Sequence, residues 1–408
     1  MSVLNGKKVL LGISGGIAAY KTASLVRLFI KAGAHVQVIM TPASKDFITP
    51  LTLSTLSKNT VFSSFYNEDD ENEKWNNHVE LALWADLMII APATANTLSK
   101  MVNGTCDNLL IAAYLSAKCP VYFAPAMDLD MYKHPSTISN FKLLNEFGNT
   151  IIPAETGELA SGLSGEGRMA EPENIVSFIE SDLNNQLPLK GKKILITAGP
   201  TYEAIDPVRF IGNHSSGKMG FDIAASAANL GASVILVSGP TNCKVSNPLI
   251  QLIPIISADE MYNVCHQYYE DVDVVIAAAA VADYKPKMAA EQKIKKISDN
   301  FVIELVKTED ILASLGLKKR NQFLIGFALE TENEFENAIL KIQKKNLDLI
   351  VLNSLQDEGA GFGKSTNKVT FINSDFTIEA MELKSKEAVA DDILNKIVSH
   401  FKHIHNAI

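Results

Sequence analysis

Short apolar runs recur along the chain, each ending in small or polar residues. One series comprises "GKKVLLGISGG" (6–16), "AGAHVQVIMTPAS" (32–44) and "ADLMIIAPATAN" (85–96). The second half repeats it as "GKKILITAGPT" (191–201), "LGASVILVSGPTN" (230–242) and "VDVVIAAAAVAD" (272–283). Between the first two members of each series lies a helical stretch, "IAAYKTASLVRLFIKAG" and "GFDIAASAANLGA". A third piece, "GFALETENEFENAILKIQKKNLDLIVLN" (326–353), reads strand, helix, strand. Strands apolar on both faces that alternate with helices predict parallel sheets covered on both sides. The pattern therefore predicts an α/β protein of two Rossmann-like domains. The polar, proline-bearing segment "ESDLNNQLPLKG" (180–191) reads as the hinge, which divides the chain into 1–189 and 190–408. The echo between the halves fits duplication and shared fold grammar equally well.

In such sheets ligands bind beyond the carboxyl ends of the strands. That rule nominates Ser14, Gly15, Thr41, Thr94, Asn96 and Thr97 in the first domain, and Ala277, Ala278, Ala279 and Asp283 in the second. A dinucleotide site needs G-x-G-x-x-G and an acidic residue closing the second strand. "GISGGI" lacks that spacing, and the second strands end in "MTPAS" and "VSGPT" without Asp or Glu. Small residues before a helix start suit a single phosphate, so a mononucleotide fits better.

Several loops carry polar groups whose role the residues alone leave open. "APATANTLSKMVNGTCDNLL" (91–110) supplies donors for a ring edge or phosphate, or equally helix caps. "APAMDLDMYKHPST" (124–137) carries acids and a histidine, catalytic or simply solvated. "LASGLSGEGRMAEPE" (159–173) reads as a mobile glycine loop leading into a helix. "NHSSGKMG" (213–220) is similar to a phosphate loop without matching GxxxxGK[ST]. "ADYKPKMAAEQKIKK" (282–296) is basic in an acidic protein, either a solvated charge run or a lysine flap over a triphosphate.

Composition narrows the classes. A net charge of −9 over 408 residues argues against general nucleic-acid binding. No apolar run approaches the roughly 18 residues of a membrane span, and the start reads as a strand, not a signal peptide. The four cysteines, Cys106, Cys119, Cys243 and Cys265, show no CxxC pairing, which predicts reduced thiols and a cytoplasmic protein.

"GISGGIAAYK", "PATANT", "PAMDLDMY" and "ASGLSGEGRMAEP" occur in the order and spacing of the flavin mononucleotide-dependent cysteine decarboxylases, a flavodoxin-like family. The resemblance implies FMN as cofactor and His78 as an active-site histidine. It implies Asp128, Met131, Arg168 and Met169 in the substrate clamp. The family chemistry oxidises the thiol-bearing carbon of a C-terminal cysteine, which gives the departing carboxylate an electron sink. Two positions depart from the common motif. Asp128 and Tyr132 stand where it has Asn and Trp, and Ser161 stands where it has the cysteine that donates the last proton. A thiol has a pKa of about 8.5, and a serine hydroxyl is a far weaker acid.

The second half resembles the phosphopantothenate–cysteine ligases. It carries their "AGPTxExIDPVRxIxNxSSGxMG", "AAAVADY", "KIKK", "GFAxET" and "KKNxDxIVxN" patterns. Together the halves resemble the bifunctional decarboxylase/ligase family of coenzyme A biosynthesis. That implies ligation of 4′-phosphopantothenate with cysteine through an acyl-cytidylate made from CTP, followed by decarboxylation to 4′-phosphopantetheine. Carried over by motif, Lys293 faces the reacting phosphate and Lys341 and Lys345 hold the nucleotide. Asp283 serves CTP and Mg2+. Ala277, Ala278, Ala279, Thr308, Glu309, Asp310, Ile311 and Phe327 line the nucleotide pocket. Asn213 orients the acyl-cytidylate, and Arg209 pairs with the substrate phosphate. The family also implies a homo-oligomer: trimers through the flavin domain, dimers through the ligase domain, and a dodecamer combining both.

Overall fold

The computed structural model describes residues 2–66, 75–295, 301–330, 333–354 and 365–406. The chain divides into two compact units, Met1–Asn184 and Asn185–Ile408.

The first unit contains β1 (Lys8–Ile13), α1 (Thr22–Lys31), β2 (His35–Met40), α2 (Pro50–Ser57), β3 (Val61–Phe62), α3 (His78–Trp84) and β4 (Leu87–Ala93). It continues through α4 (Ala95–Asn103), α5 (Leu109–Ser116), β5 (Val121–Pro125), α6 (Leu129–Lys133), α7 (Pro135–Glu146), β6 (Thr150–Ile151), β7 (Glu155–Glu158), β8 (Ser164–Arg168) and α8 (Pro172–Asn185). Six strands form one parallel sheet in the order β3-β2-β1-β4-β5-β6. This is the Rossmann order, which reverses between β1 and β4. Alternate residues of a strand face opposite ways, so β1 feeds two cores. Val9, Leu11 and Ile13 pack with Leu25 and Phe29 of α1. Leu10 packs on the other side with Leu110 of α5 and Leu98 of α4.

The second unit contains β9 (Lys193–Ala198), β10 (Tyr202–Ala204), β11 (Phe210–Gly212), α9 (Lys218–Asn229), β12 (Ser233–Ser238), β13 (Ile250–Pro254), α10 (Ala258–Tyr268), β14 (Val274–Ala277), β15 (Tyr284–Pro286), β16 (Leu305–Lys307) and α11 (Ile311–Leu317). Then come β17 (Phe323–Glu330), α12 (Glu334–Lys345), β18 (Leu349–Ser354), β19 (Thr366–Asn367), β20 (Val369–Asn373), β21 (Ile378–Ala380), β22 (Lys384–Ser385) and α13 (Lys386–Asn406). Its main sheet runs β13-β12-β9-β14-β17-β18-β20-β21. The first six are parallel, and β20 and β21 are added antiparallel. The echoed sequences thus occupy equal places: β1 and β9, β2 and β12, β4 and β14 sit at the same positions of two sheets with one order.

Two expectations change. Residues 180–185 of the supposed hinge are the last turns of α8. The stretch 159–173 is not a free loop: β7 and β8 form an antiparallel hairpin, and Leu159 and Leu163 close its turn with an N–H···O bond of 2.8 Å. Two of its glycines, Gly165 and Gly167, serve close approach. A Cβ on Gly165 would lie 2.5 Å from Leu129 Cδ1, and one on Gly167 would lie 2.4 Å from the Met127 carbonyl oxygen. The hairpin is therefore clamped onto the start of α6, with the Met127 N–H donating to the Gly167 carbonyl at 3.0 Å.

Candidate functional sites at the carboxyl ends of the two sheets

A cavity of about 920 Å³ opens in the first unit where the strand order reverses. Of the nominated residues, Gly15, Thr41, Thr94, Asn96, Thr97, Asp128, Met131, Ser161, Arg168 and Met169 line it. Volumes of roughly 300–1,000 Å³ accommodate whole organic ligands. Ser14 stands just behind the wall. Its hydroxyl donates to the Pro92 carbonyl at 2.6 Å and accepts the Thr94 N–H at 3.1 Å. The hydroxyls of Ser14, Thr94 and Thr97 form a chain, each step 3.2 Å.

Three features suit this wall to a phosphorylated cofactor. Thr94 begins α4 without a side-chain cap, which leaves first-turn N–H groups for an anion. Thr41 Oγ1 is buried without a partner among the described residues. Gly15 forms a cradle in which a Cβ would lie 2.8 Å from Ala43 Cβ.

At the opposite rim, Asp128 caps α6, its Oδ1 accepting the Leu129 N–H at 2.7 Å. The same oxygen accepts the Ser161 hydroxyl at 3.0 Å. Arg168 is engaged by Glu171 at 2.5 Å. Lys21 also lines the cavity, though the strand-end rule does not nominate it. It is buried, and its ammonium donates to the Met169 carbonyl and to Glu171, both at 2.9 Å. Its sequence signal is its place in "GISGGIAAYK", where the loop enters the first helix.

His78 does not line this cavity. It opens α3 behind the cap Asn77, which accepts from Val79 and Glu80. Phe65 and Trp75 meet its ring edge-on at 6.1 and 6.3 Å between centroids. Its Nδ1 is buried and has no partner among the described residues.

In the second unit a cavity of about 170 Å³ lies beyond β14 and β17, against the start of α9. Ala278, Ala279 and Phe327 line it together with Ser215, Ser216 and Lys386. The segment after β14 carries the other nominated groups. Asn213 Nδ2 donates to the carbonyls of Ala280 and Val281, at 3.0 and 3.2 Å. The Thr308 hydroxyl donates to the Ala282 carbonyl at 2.6 Å, and its N–H to the Asp283 carbonyl at 3.0 Å. Ala277 ends β14, and Glu309 precedes the α11 cap Asp310. Asp310 accepts the Ala313 N–H at 3.0 Å and binds Lys345 at 2.9 Å, with Ile311 buried behind it. Lys341 lies one turn before Lys345 on α12.

Lys293 is exposed, next to a segment that is tied down. The N–H of Ile294 donates to Asp206 at 3.2 Å. Arg209 spans Asp206 at 3.2 Å and the Ile294 carbonyl at 3.4 Å. Lys296 of the "KIKK" run and Thr331 of the "GFAxET" pattern lie outside the described residues.

Two Rossmann-order units, each with a cavity at its strand ends, define a two-domain α/β protein. Residues 2–184 match the Flavoprotein family and residues 189–401 match the DNA/pantothenate metabolism flavoprotein C-terminal domain. The coenzyme A biosynthesis bifunctional protein CoaBC of Bacillus subtilis (strain 168) is 44% identical over 399 residues, covering 97% of this chain and 98% of that protein. A cysteine/cysteine sulfinic acid decarboxylase from an unknown prokaryotic organism is 53% identical over 357 residues, 86% of this chain and 99% of that protein. The crystal structure of the C-terminal domain of a CoaBC protein aligns with a TM-score of 0.46 at 44% identity, covering 53% of this chain and all of that one. The chain belongs to the family of coenzyme A biosynthesis bifunctional proteins.

Proposed function

We propose that the chain performs both reactions of that family: CTP-dependent ligation of 4′-phosphopantothenate with cysteine in the second unit, then FMN-dependent decarboxylation of the product in the first. The observation that carries this reading is the first cavity. Its size and its uncapped α4 start suit a mononucleotide, and its hairpin rim brings Ser161 and Asp128 to the opposite wall.

FMN supplies a reversible two-electron oxidation of the substrate's thiol-bearing carbon. The start of α4, the Ser14–Thr94–Thr97 hydroxyls, Asn96 and Thr41 hold its phosphate and polar edges. The β7–β8 hairpin covers the substrate, with Met131, Arg168 and Met169 around it. Ser161 presents its hydroxyl from the hairpin tip, with its own hydrogen held by Asp128. It accepts from and positions a water that passes a proton to the decarboxylated carbon, the hydroxide left behind being neutralised by solvent. Its acceptor Asp128 fixes the direction of that hydroxyl.

In the second unit, cations must gather around a triphosphate to stabilise charge as the substrate carboxylate displaces pyrophosphate. Lys293, Lys341 and Lys345 supply them, Asn213 orients the acyl-cytidylate, and Arg209 binds the substrate phosphate. Magnesium is assigned to the CTP phosphates with Asp283 as its protein carboxylate. Among the described residues no group of three His, Cys, Asp or Glu forms a cage, and magnesium on a nucleotide needs only one or two carboxylates. No described helix is long and apolar enough to cross a membrane. We assign the protein to the cytoplasm as a homo-oligomer, with trimeric flavin domains and dimeric ligase domains combining as a dodecamer, which mass measurement tests.

The deciding experiment supplies phosphopantothenate, cysteine and CTP to purified, flavin-containing protein and follows CO2 and 4′-phosphopantetheine. A colourless protein that releases no CO2 refutes the decarboxylase half. Free cysteine and cysteine sulfinate belong in the same assay, given the 53% identical decarboxylase. Ser161 and Asp128 favour one second reading, an active ligase whose flavin unit binds without turning over. Accumulation of phosphopantothenoylcysteine by the wild type, relieved by Ser161→Cys, decides for it.

A further inference from the structure

Among the described residues three cations line the first cavity: Lys21, Lys100 and Arg168. Glu171 engages two of them, and the Met169 carbonyl holds Lys21 further. Lys100 stands apart from both, on α4. The stretch "SKMVNGTCDN" (99–108) places it there. Gly104 ends α4 in the left-handed region at φ 65°, its N–H donating to the Lys100 carbonyl. The Thr105 N–H reaches the same carbonyl at 3.1 Å. The chain then turns back toward α4, and Asp107 meets the Lys100 ammonium at 2.6 Å. Asn108 donates to the other Asp107 oxygen at 2.8 Å and caps α5 by accepting the Ile111 N–H at 3.1 Å. Lys100, Asp107 and Asn108 all line the cavity, and none belongs to the flavin-phosphate wall or to the hairpin rim.

Phosphopantothenoylcysteine carries anions at both ends. One is the carboxylate of the reacting cysteine, the other a phosphate monoester at the far end of the pantothenoyl chain. The reacting end belongs at the hairpin rim, beside Ser161 and Asp128. The phosphate needs a cation elsewhere in the cavity. Arg168 lies on the hairpin, and Lys21 is buried and tied to its base, so Lys100 is the cation that remains. It follows Asn96 by one turn on the same face of α4, just past the uncapped helix start. Its present partner is readily exchanged. Asp107 is 49% exposed and can turn to water, and a partly exposed ion pair holds weakly. A phosphate dianion offers the ammonium more charge and more acceptor oxygens than that carboxylate does.

We propose that Lys100 is a specificity residue of the first cavity, binding the phosphate monoester of the decarboxylation substrate, with Asp107 as the counterion it gives up on binding. The proposal rests on the decarboxylase reading for the identity of its ligand. Lys100 thereby favours phosphorylated substrates over the corresponding alcohols. The phosphate of the flavin offers the same chemistry, and the test separates the two.

Isothermal titration of the flavin-containing, full-length protein with 4′-phosphopantetheine and with pantetheine compares wild type, Lys100→Met, Lys100→Arg and Asp107→Asn. All three variants lie in the first unit, so binding to the second contributes equally throughout. Loss of a charge-assisted contact weakens 4′-phosphopantetheine binding by about tenfold or more in Lys100→Met. Pantetheine binding stays constant, and Lys100→Arg restores most of the difference. The KM for phosphopantothenoylcysteine rises in parallel. Asp107→Asn breaks the ion pair but spares the cation, so the phosphorylated ligand binds at least as well as in wild type. Weakening of equal size in Asp107→Asn assigns the effect to the ion pair and overturns the proposal. So does an equal change for both ligands, or loss of flavin from Lys100→Met, which would give Lys100 to the cofactor. Should the methionine variant misfold, 4′-phosphopantetheine but not pantetheine must protect Lys100 of the wild type from acetylation, and equal protection or none overturns the proposal. A Lys100-dependent preference for the phosphorylated ligand in a chain that releases no CO2 supports the subsite and refutes the decarboxylase reading. CO2 release with an unchanged KM in Lys100→Met does the reverse.

Discussion

Ser161 and Asp128, the two cavity residues that depart from the common decarboxylase motif, are hydrogen-bonded to each other, the serine hydroxyl donating to Asp128 Oδ1 at 3.0 Å. The same oxygen caps α6 through Leu129. Asp128→Asn keeps that acceptor and removes a negative charge from a wall that receives a substrate carboxylate. Like charges about 4 Å apart repel by about 1 kcal/mol even in water-like surroundings, so the KM of the decarboxylation falls by about fivefold or more. The melting temperature stays put. Asp128→Ala instead loses the cap and costs about 1 kcal/mol. A KM unchanged in Asp128→Asn means the carboxylate does not face the substrate's own.

Gly15 is a closely packed point of the first cavity's wall. A Cβ there would lie 2.8 Å from Ala43 Cβ and 2.9 Å from the Ala43 carbonyl carbon. Gly15→Ala must push the loops after β1 and β2 apart, at about 1–3 kcal/mol. Flavin absorbance retained after gel filtration falls sharply, while ligase activity persists. Gly16→Ala meets only Thr94 Cγ2 at 3.3 Å and retains its flavin. Equal flavin content in the two variants contradicts this assignment.

Sheet positions were legible because a fully buried parallel strand must be apolar on both faces. β1, β2 and β4, and their echoes β9, β12 and β14, fall on the apolar runs. The strand-end rule then reached Gly15, Thr41 and Thr94 without further information. The glycines at 165 and 167 misled because local sequence cannot separate mobility from close approach. Leu129 and the Met127 carbonyl, distant in sequence, make the difference. Lys386 was not legible for a related reason: it belongs to the last helix, and only folding brings it to the start of α9. His78 was reached through the family resemblance alone, and the structure of one chain leaves that role to experiment. It packs against Phe65 and Trp75 and does not line the cavity of its own chain.

Lys345 is held by Asp310 at 2.9 Å. Burial raises the Asp310 pKa, but the Ala313 N–H and Lys345 outweigh it and leave the carboxyl below its ordinary value. The pair is partly exposed and α11 keeps its Asp310–Ala313 cap without the lysine. Lys345→Ala therefore costs at most about 1 kcal/mol of stability. Its effect on nucleotide binding is larger, about tenfold or more in the KM for CTP, as for a lost charge-assisted contact. A variant that melts early but binds CTP normally would assign Lys345 to scaffolding.

Lys21 ties the first helix to the base of the hairpin through Glu171 and the Met169 carbonyl. The Glu171 pKa lies below its ordinary 4.5, chiefly through the Lys21 hydrogen bond, with burial opposing and Arg168 assisting. A carboxyl whose folded pKa is depressed stabilises the fold above its unfolded pKa, and that stability is lost as pH falls through the folded value. Both tryptophans, Trp75 and Trp84, lie in the first unit, so their fluorescence reports its unfolding. In wild type the first unit's melting temperature should drop as pH falls from about 5 through and below the unfolded carboxylate range near 4.3. Lys21→Met strands the Met169 carbonyl and leaves Glu171 without its buried partner. Breaking a buried pair costs about 3–5 kcal/mol, and Glu171, at 37% exposed, recovers part of that from water. A loss of about 1–3 kcal/mol at neutral pH is therefore expected. The acid-dependent fall in melting temperature should shrink in the variant, because less of the Glu171 shift remains to be lost. Parallel acid profiles for wild type and Lys21→Met, offset by a constant, would show that the lysine acts through packing and the Met169 carbonyl instead of through Glu171.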